Sequence, residues 1–82
     1  MSQNSDQTYL SELHPGEEAT VSGLDAKGAI RQRLLEMGFI RGASIKVEKF
    51  APMGDPIEIV VKGSHLSLRR EDCQCILVVR ES

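Results

Sequence analysis

Leu10 and Leu13 open the apolar pattern of this chain. The polar, unpatterned residues before them predict a disordered tail over 1–8, which leaves 9–82 as a single domain. "HPGEEA" at 14–19 reads as a turn, because Pro15 fixes φ and Gly16 tolerates positive φ. Alternation over 19–24 predicts a short strand. A helix follows from Asp25, a favoured N-cap, with Ile30, Leu34 and Met37 at i, i+4 and i+7 on one face. Gly38 ends it as the left-handed residue after the last turn, and Phe39 and Ile40 can pack back onto that turn. Beyond residue 42 the period shortens to two. Ile45 and Val47 alternate with Lys46 and Glu48, and Phe50 falls out of phase, which predicts a bulge near 49–50. Ile57, Ile59 and Val61 form the next strand, Gly63-Ser64 a hairpin turn, and Leu66 and Leu68 the strand after it. "RRED" at 69–72 is a charged corner with room for one helical turn, and 75–80 is the closing strand with Ile76 and Val78 on one face. The pattern therefore predicts a mainly β fold of about five short strands with one α-helix between the first two. Short strands in a small chain favour a closed or nearly closed β-barrel, which leaves few exposed edges.

Composition narrows the function. Hydrophobic residues make up 40% of the 82 residues and aromatic residues only 4%, so the core must be aliphatic. The net charge of −2 lacks the basic excess of nucleic-acid binders, and Tyr9, Phe39 and Phe50 offer little for base stacking. No apolar run reaches the length of a membrane span, which predicts no direct membrane insertion. "MSQNSDQTY" has neither the basic nor the apolar region of a signal peptide, so the expected location is cytoplasmic.

"PMGDP" (Pro52, Met53, Gly54, Asp55, Pro56) is the most distinctive loop. A phosphate loop needs several glycines and a following helix; here one glycine precedes a strand, which excludes that reading. Pro56 lacks an N–H and suits the first position of a strand, while Gly54 supplies an unusual backbone angle. The five residues read as a hairpin connection that also presents a partner-binding surface, with Met53 as an adaptable apolar contact at the tip. Cys73 and Cys75 are the candidate metal ligands, because alternate residues of a strand face one side. His65, and more remotely His14, are the only nitrogens to add to them, short of the usual four ligands of a structural zinc site. Buried cysteine also behaves as a small hydrophobe, so the pair reads as core and no cofactor is expected beyond a transition metal. Arg31 and Arg33 form a solvated helix side that would also suit an acidic partner surface. No arrangement of nucleophile and base points to an enzyme.

Three strings carry a family resemblance: "RLLEMGFIRGASIKV" (33–47), "APMGDPIEIVVKGSHLSLRRED" (51–72) and "ILV" (76–78), with "LSELHPGEEATVSGL" (10–24) before them. Together, over roughly 10–79, they resemble the ferrous iron transport protein A (FeoA) family. "RG" at 41–42 stands where Pro-Gly is common in that family, a change in turn stiffness and not in fold. The resemblance implies an SH3-like barrel and a non-catalytic accessory role in ferrous iron uptake. Its implied partner is the FeoB-type transporter, a membrane protein with a GTPase domain that carries Fe²⁺ inward. The chain would meet its cytoplasmic part, at the inner face of the membrane, and modulate its assembly or activity. The same kinship extends to the C-terminal domains of iron-dependent repressors, which makes a transition-metal sensor or carrier the alternative. A monomer or weak homodimer is expected.

Overall fold

The computed structural model describes residues 7–80. Its strands are β1 (Gln7–Tyr9), β2 (Glu18–Leu24), β3 (Ser44–Phe50), β4 (Ile57–Val61), β5 (Ser64–Leu68) and β6 (Ile76–Arg80). A single 3-10 turn (Leu10–Glu12) follows β1, helix α1 (Gly28–Glu36) joins β2 to β3, and the short helix α2 (Arg70–Cys73) joins β5 to β6. All six strands belong to one antiparallel sheet in the order β1-β6-β2-β3-β4-β5. The fold is mainly β, as the pattern predicts, but the order has two ends. Hydrogen bonding therefore does not close the sheet into a ring.

The structure departs from the sequence reading at several places; the β4–β5 turn, for one, is Lys62-Gly63, both at positive φ, and Ser64 is already in β5 opposite Val61. Gln7 and Thr8, assigned above to the disordered tail, pair with Val79 and Val78 in strand β1. That is a sixth strand, and it puts α1 between the second and third. A three-residue strand of Gln, Thr and Tyr carries no alternation to read; only its partner β6 reveals it. The rest of the predicted tail, residues 1–6, lies outside the described residues. The N-cap of α1 is Lys27, in extended conformation and without a side-chain cap, instead of Asp25. Asp25 is engaged elsewhere: its carboxylate accepts the Tyr9 hydroxyl at 3.3 Å. Of the predicted helix face, Leu34 is fully buried, Met37 is half-buried and Ile30 is 49% exposed. Only the C-terminal half of this short helix contributes to the buried core, through Leu34 and the partly buried Met37 that follows.

That half is tightly terminated. Gly38 has φ +110°, its N–H bonds the Leu35 carbonyl at 3.0 Å, and the Phe39 N–H bonds the Leu34 carbonyl at 3.1 Å. This is a Schellman motif, and it turns Phe39 into the core. Phe39 is the one aromatic side chain buried completely among the described residues; aliphatic residues such as Leu10, Leu34, Val47, Ile57, Ile59 and Ile76 make up most of the rest. The predicted bulge is present, as the β3–β4 register shifts between Val47 and Lys49 and brings Phe50 opposite Ile57.

Candidate functional site

The 52–56 loop is built outward from the β3–β4 hairpin. Ala51 to Gly54 form a β-turn closed by a Gly54 N–H···O Ala51 bond of 2.7 Å, with Pro52 at its second position and Gly54 at its fourth, at φ +86°. The Ala51 N–H also bonds the Pro56 carbonyl at 3.0 Å, which seals the base of the loop. The Asp55–Pro56 peptide is cis.

Arg70, the first residue of α2, holds this loop in place. Its guanidinium donates to the Gly54 carbonyl from Nη2 (2.8 Å) and Nε (3.2 Å), and to the Ser11 carbonyl from Nη1 (3.3 Å). It lies over the Phe50 ring, 5.0 Å from the centroid, a cation–π arrangement. The Arg70 backbone N–H donates to Asp55 Oδ1 at 2.9 Å, and Arg69 Nη1 stands 3.9 Å from Asp55 Oδ2. One side chain thus joins the hairpin loop, the start of α2 and the 3-10 turn after β1. Ser11 follows one end of the sheet and Arg70 the other, so Arg70 spans the gap that strand pairing leaves open.

These contacts separate the five predicted partner-binding residues. Asp55 is occupied with α2 and Gly54 with Arg70. Met53 is left pointing out, 92% exposed, beside the exposed ring of Pro52. The loop presents an apolar tip on a clamped base. The sequence reading missed Arg70, which lay in a charged corner of "RRED" with no local hint of a partner 16 residues away.

The metal candidates are not brought together. Cys73 ends α2 and Cys75 lies in the turn after it, before β6 begins at Ile76. Strand alternation, the premise for two thiolates on one side, therefore does not apply to them. Cys73 is fully buried, and burial, with the Asp72 charge adding to it, pushes its thiol up to about 12. It is a neutral thiol at neutral pH. Cys75 is half-buried, its Sγ 3.8 Å from the Glu71 carbonyl. His65 is exposed on β5 with Nδ1 3.1 Å from Glu48 Oε1, and His14 is exposed in its turn, 3.4 Å from Glu17 Oε1. Among the described residues no three or more His, Cys, Asp or Glu side chains are grouped to hold a metal ion.

A concavity of about 270 Å³ lies between the end of β2 and α1. Gly23, Leu24, Arg31, Leu35, Phe39 and Arg41 line it. Sequence spacing gave no sign that Arg31 and Arg41 share a surface.

The family model for the FeoA domain matches residues 8–80. The chain belongs to the FeoA domain family. A curated relative from Porphyromonas gingivalis, an Fe(2+) transport protein A/Fe(2+) transporter FeoB fusion protein, is 44% identical over 69 residues. That match covers 84% of this chain and 8% of the fusion protein, so the chain spans a small part of that relative's length. Among solved structures, the FeoA protein of Chlorobium tepidum is similar with a TM-score of 0.85 and 43% identity, over 92% of this chain and 71% of that one. FeoA of Stenotrophomonas maltophilia, solved with zinc and described as a procaryotic SH3 domain protein, has a TM-score of 0.78 at 28% identity, over 90% and 95% of the two chains. The curved sheet of this FeoA domain is thus SH3-like, with β1 and β5 as its free edges.

Proposed function

We propose that this FeoA domain is a non-catalytic accessory module of ferrous iron uptake that docks on the cytoplasmic part of a FeoB-type transporter and modulates its assembly or activity. The observation that carries the reading is the Porphyromonas gingivalis relative, whose name joins an Fe(2+) transport protein A and FeoB in one chain. Fusion raises the effective concentration of one module beside the other, which benefits modules that meet. The clamped 52–56 loop supports a contact surface there. A rigid loop loses little entropy on binding, and an exposed methionine adapts its shape to an apolar recess. In this reading the domain works as a monomer or weak homodimer in the cytoplasm, at the inner face of the membrane when bound.

The experiment is a titration of the purified domain against a FeoB cytoplasmic domain and the full-length transporter, with and without nucleotide. Saturable binding is the expected result, weakened about tenfold or more by Met53→Asp, as for an anchor residue at an interface. Absence of binding to either target would remove the docking model, and unchanged affinity of the Met53→Asp variant would remove the loop from it.

A further inference from the structure

The groove between β2 and α1 is separate from the 52–56 loop. Arg41 lies just before β3 and the loop just after it. Seven residues of strand therefore intervene, roughly 20 Å at the usual rise. The walls are chemically mixed: Leu24, Leu35 and Phe39 are apolar, and two arginines stand with them. Arg41 donates from Nε to the Ser22 carbonyl at 3.2 Å, which fixes the guanidinium and leaves its terminal nitrogens available. Arg31 is exposed and makes no hydrogen bond or ion pair among the described residues. Its neighbour Arg33, by contrast, is paired with Asp72 at 3.1 Å. Two acids adjoin wall residues in sequence: Asp25 accepts the Tyr9 hydroxyl at 3.3 Å, and Glu36 accepts from Gln32 Nε2 at 3.2 Å. Gly23 completes the wall. A Cβ built there meets nothing within 4 Å, and its φ lies outside the left-handed region. The space beside it is therefore open, and a larger residue could occupy it without backbone strain.

We propose that this groove takes an acidic peptide segment of a partner protein. One carboxylate of the segment is held by Arg31 and Arg41, and an adjoining aliphatic side chain rests on Leu24 and Leu35, with the buried Phe39 ring behind them. Guanidinium groups bind carboxylates through paired, charge-assisted hydrogen bonds, and an arginine without an internal partner surrenders none to do so. The volume lies just under the range of small-molecule sites and suits one or two side chains. The concave shape suits a peptide better than a flat membrane surface. The site stands whether or not the 52–56 loop meets a transporter, because it uses other residues and needs no transporter to be tested.

The test is a titration of the full 82-residue chain, followed by amide chemical shifts, with a capped hexapeptide of alternating leucine and glutamate. The glutamine analogue and inorganic phosphate serve as the two comparison probes. The glutamate peptide should shift the amides of Gly23, Leu24, Phe39 and Arg41, and the glutamine analogue should bind roughly tenfold more weakly. Arg31→Gln should lower affinity by a similar factor with the fold unchanged, since Arg31 holds nothing internal. Gly23→Leu should abolish binding by filling the groove. The proposal is overturned if neither peptide binds, if both bind equally, if the shifts fall on 52–56, or if Arg31→Gln and Gly23→Leu both bind like the parent chain. A larger groove response to phosphate than to the glutamate peptide would also overturn it, by making the arginine pair a phosphate site.

Discussion

The Gly54 carbonyl receives two hydrogen bonds from the Arg70 guanidinium, at 2.8 and 3.2 Å, across 16 residues of sequence. This contact ties the base of the loop in the β3–β4 hairpin to the start of α2, and through Ser11 to the turn after β1. It explains how a loop with a methionine as exposed as Met53 can keep one shape.

Replacing Arg70 should therefore loosen the loop more than it disturbs the core. Arg70→Lys keeps the charge but loses the planar fork that reaches two carbonyls at once. The expected cost is about 1–2 kcal/mol, from charge-assisted bonds to neutral acceptors. That corresponds to roughly 4–15 °C in the melting midpoint of a domain this size. Amide exchange should rise at Gly54 and Ala51 while the amides of β2 and β6 stay protected. Uniform loss of protection would mean that Arg70 supports the whole fold.

Ile30 and Leu34 are one helical turn apart, yet the structure gives them different surroundings. Leu34 is fully buried and Ile30 is 49% exposed. Leu34→Ala should cost about 2–5 kcal/mol through lost burial and a residual cavity. Ile30→Ala should stay within roughly 1 kcal/mol. Denaturant unfolding of the two variants measures the difference, and equal costs would mean that Ile30 is packed as firmly as Leu34.

The Cys73 thiol makes stability depend on alkaline pH. In the folded chain burial pushes it up to about 12, above the 9.0 of an unperturbed thiol. The unfolded chain therefore loses this proton first. The stabilising effect is complete below pH about 9 and is lost as pH rises toward 12. Cys73→Ala should flatten the stability curve in that window relative to the parent chain. In alkylation at neutral pH, Cys75 should react well before Cys73, and equal rates would mean that Cys73 is not buried as described.

Glu17 gives the opposite slope on the acid side. Its carboxylate accepts the His14 backbone N–H at 2.6 Å and faces Arg80 Nε at 3.2 Å. The His14 bond, more than Arg80, holds its pKa below the ordinary carboxylate value. The folded chain releases this proton more readily than the unfolded one. The contribution is present above the unfolded pKa and is lost as pH falls through the folded one. Glu17→Gln should reduce the acid sensitivity of unfolding below pH about 5; an unchanged acid limb would show that Glu17 is not linked to folding.

Much of the fold was legible along the chain because it is local. The alternation of Ile45 and Val47, and of Ile57, Ile59 and Val61, marks strands whose alternate side chains must leave water. Gly38 marks the helix end because few other residues take its backbone angle, and the out-of-phase Phe50 marks the bulge. The same ordered strings carry the resemblance to the FeoA family. Tertiary structure alone decided the rest. β1 is a strand because β6 offers it a free edge, not because Gln7, Thr8 and Tyr9 prefer one. Leu34 is buried and Ile30 is not because only the C-terminal half of α1 reaches the common core. Arg70 meets Gly54, and Arg31 shares a groove with Arg41, because the chain folds back over itself, and no periodicity encodes which distant charge a loop will find.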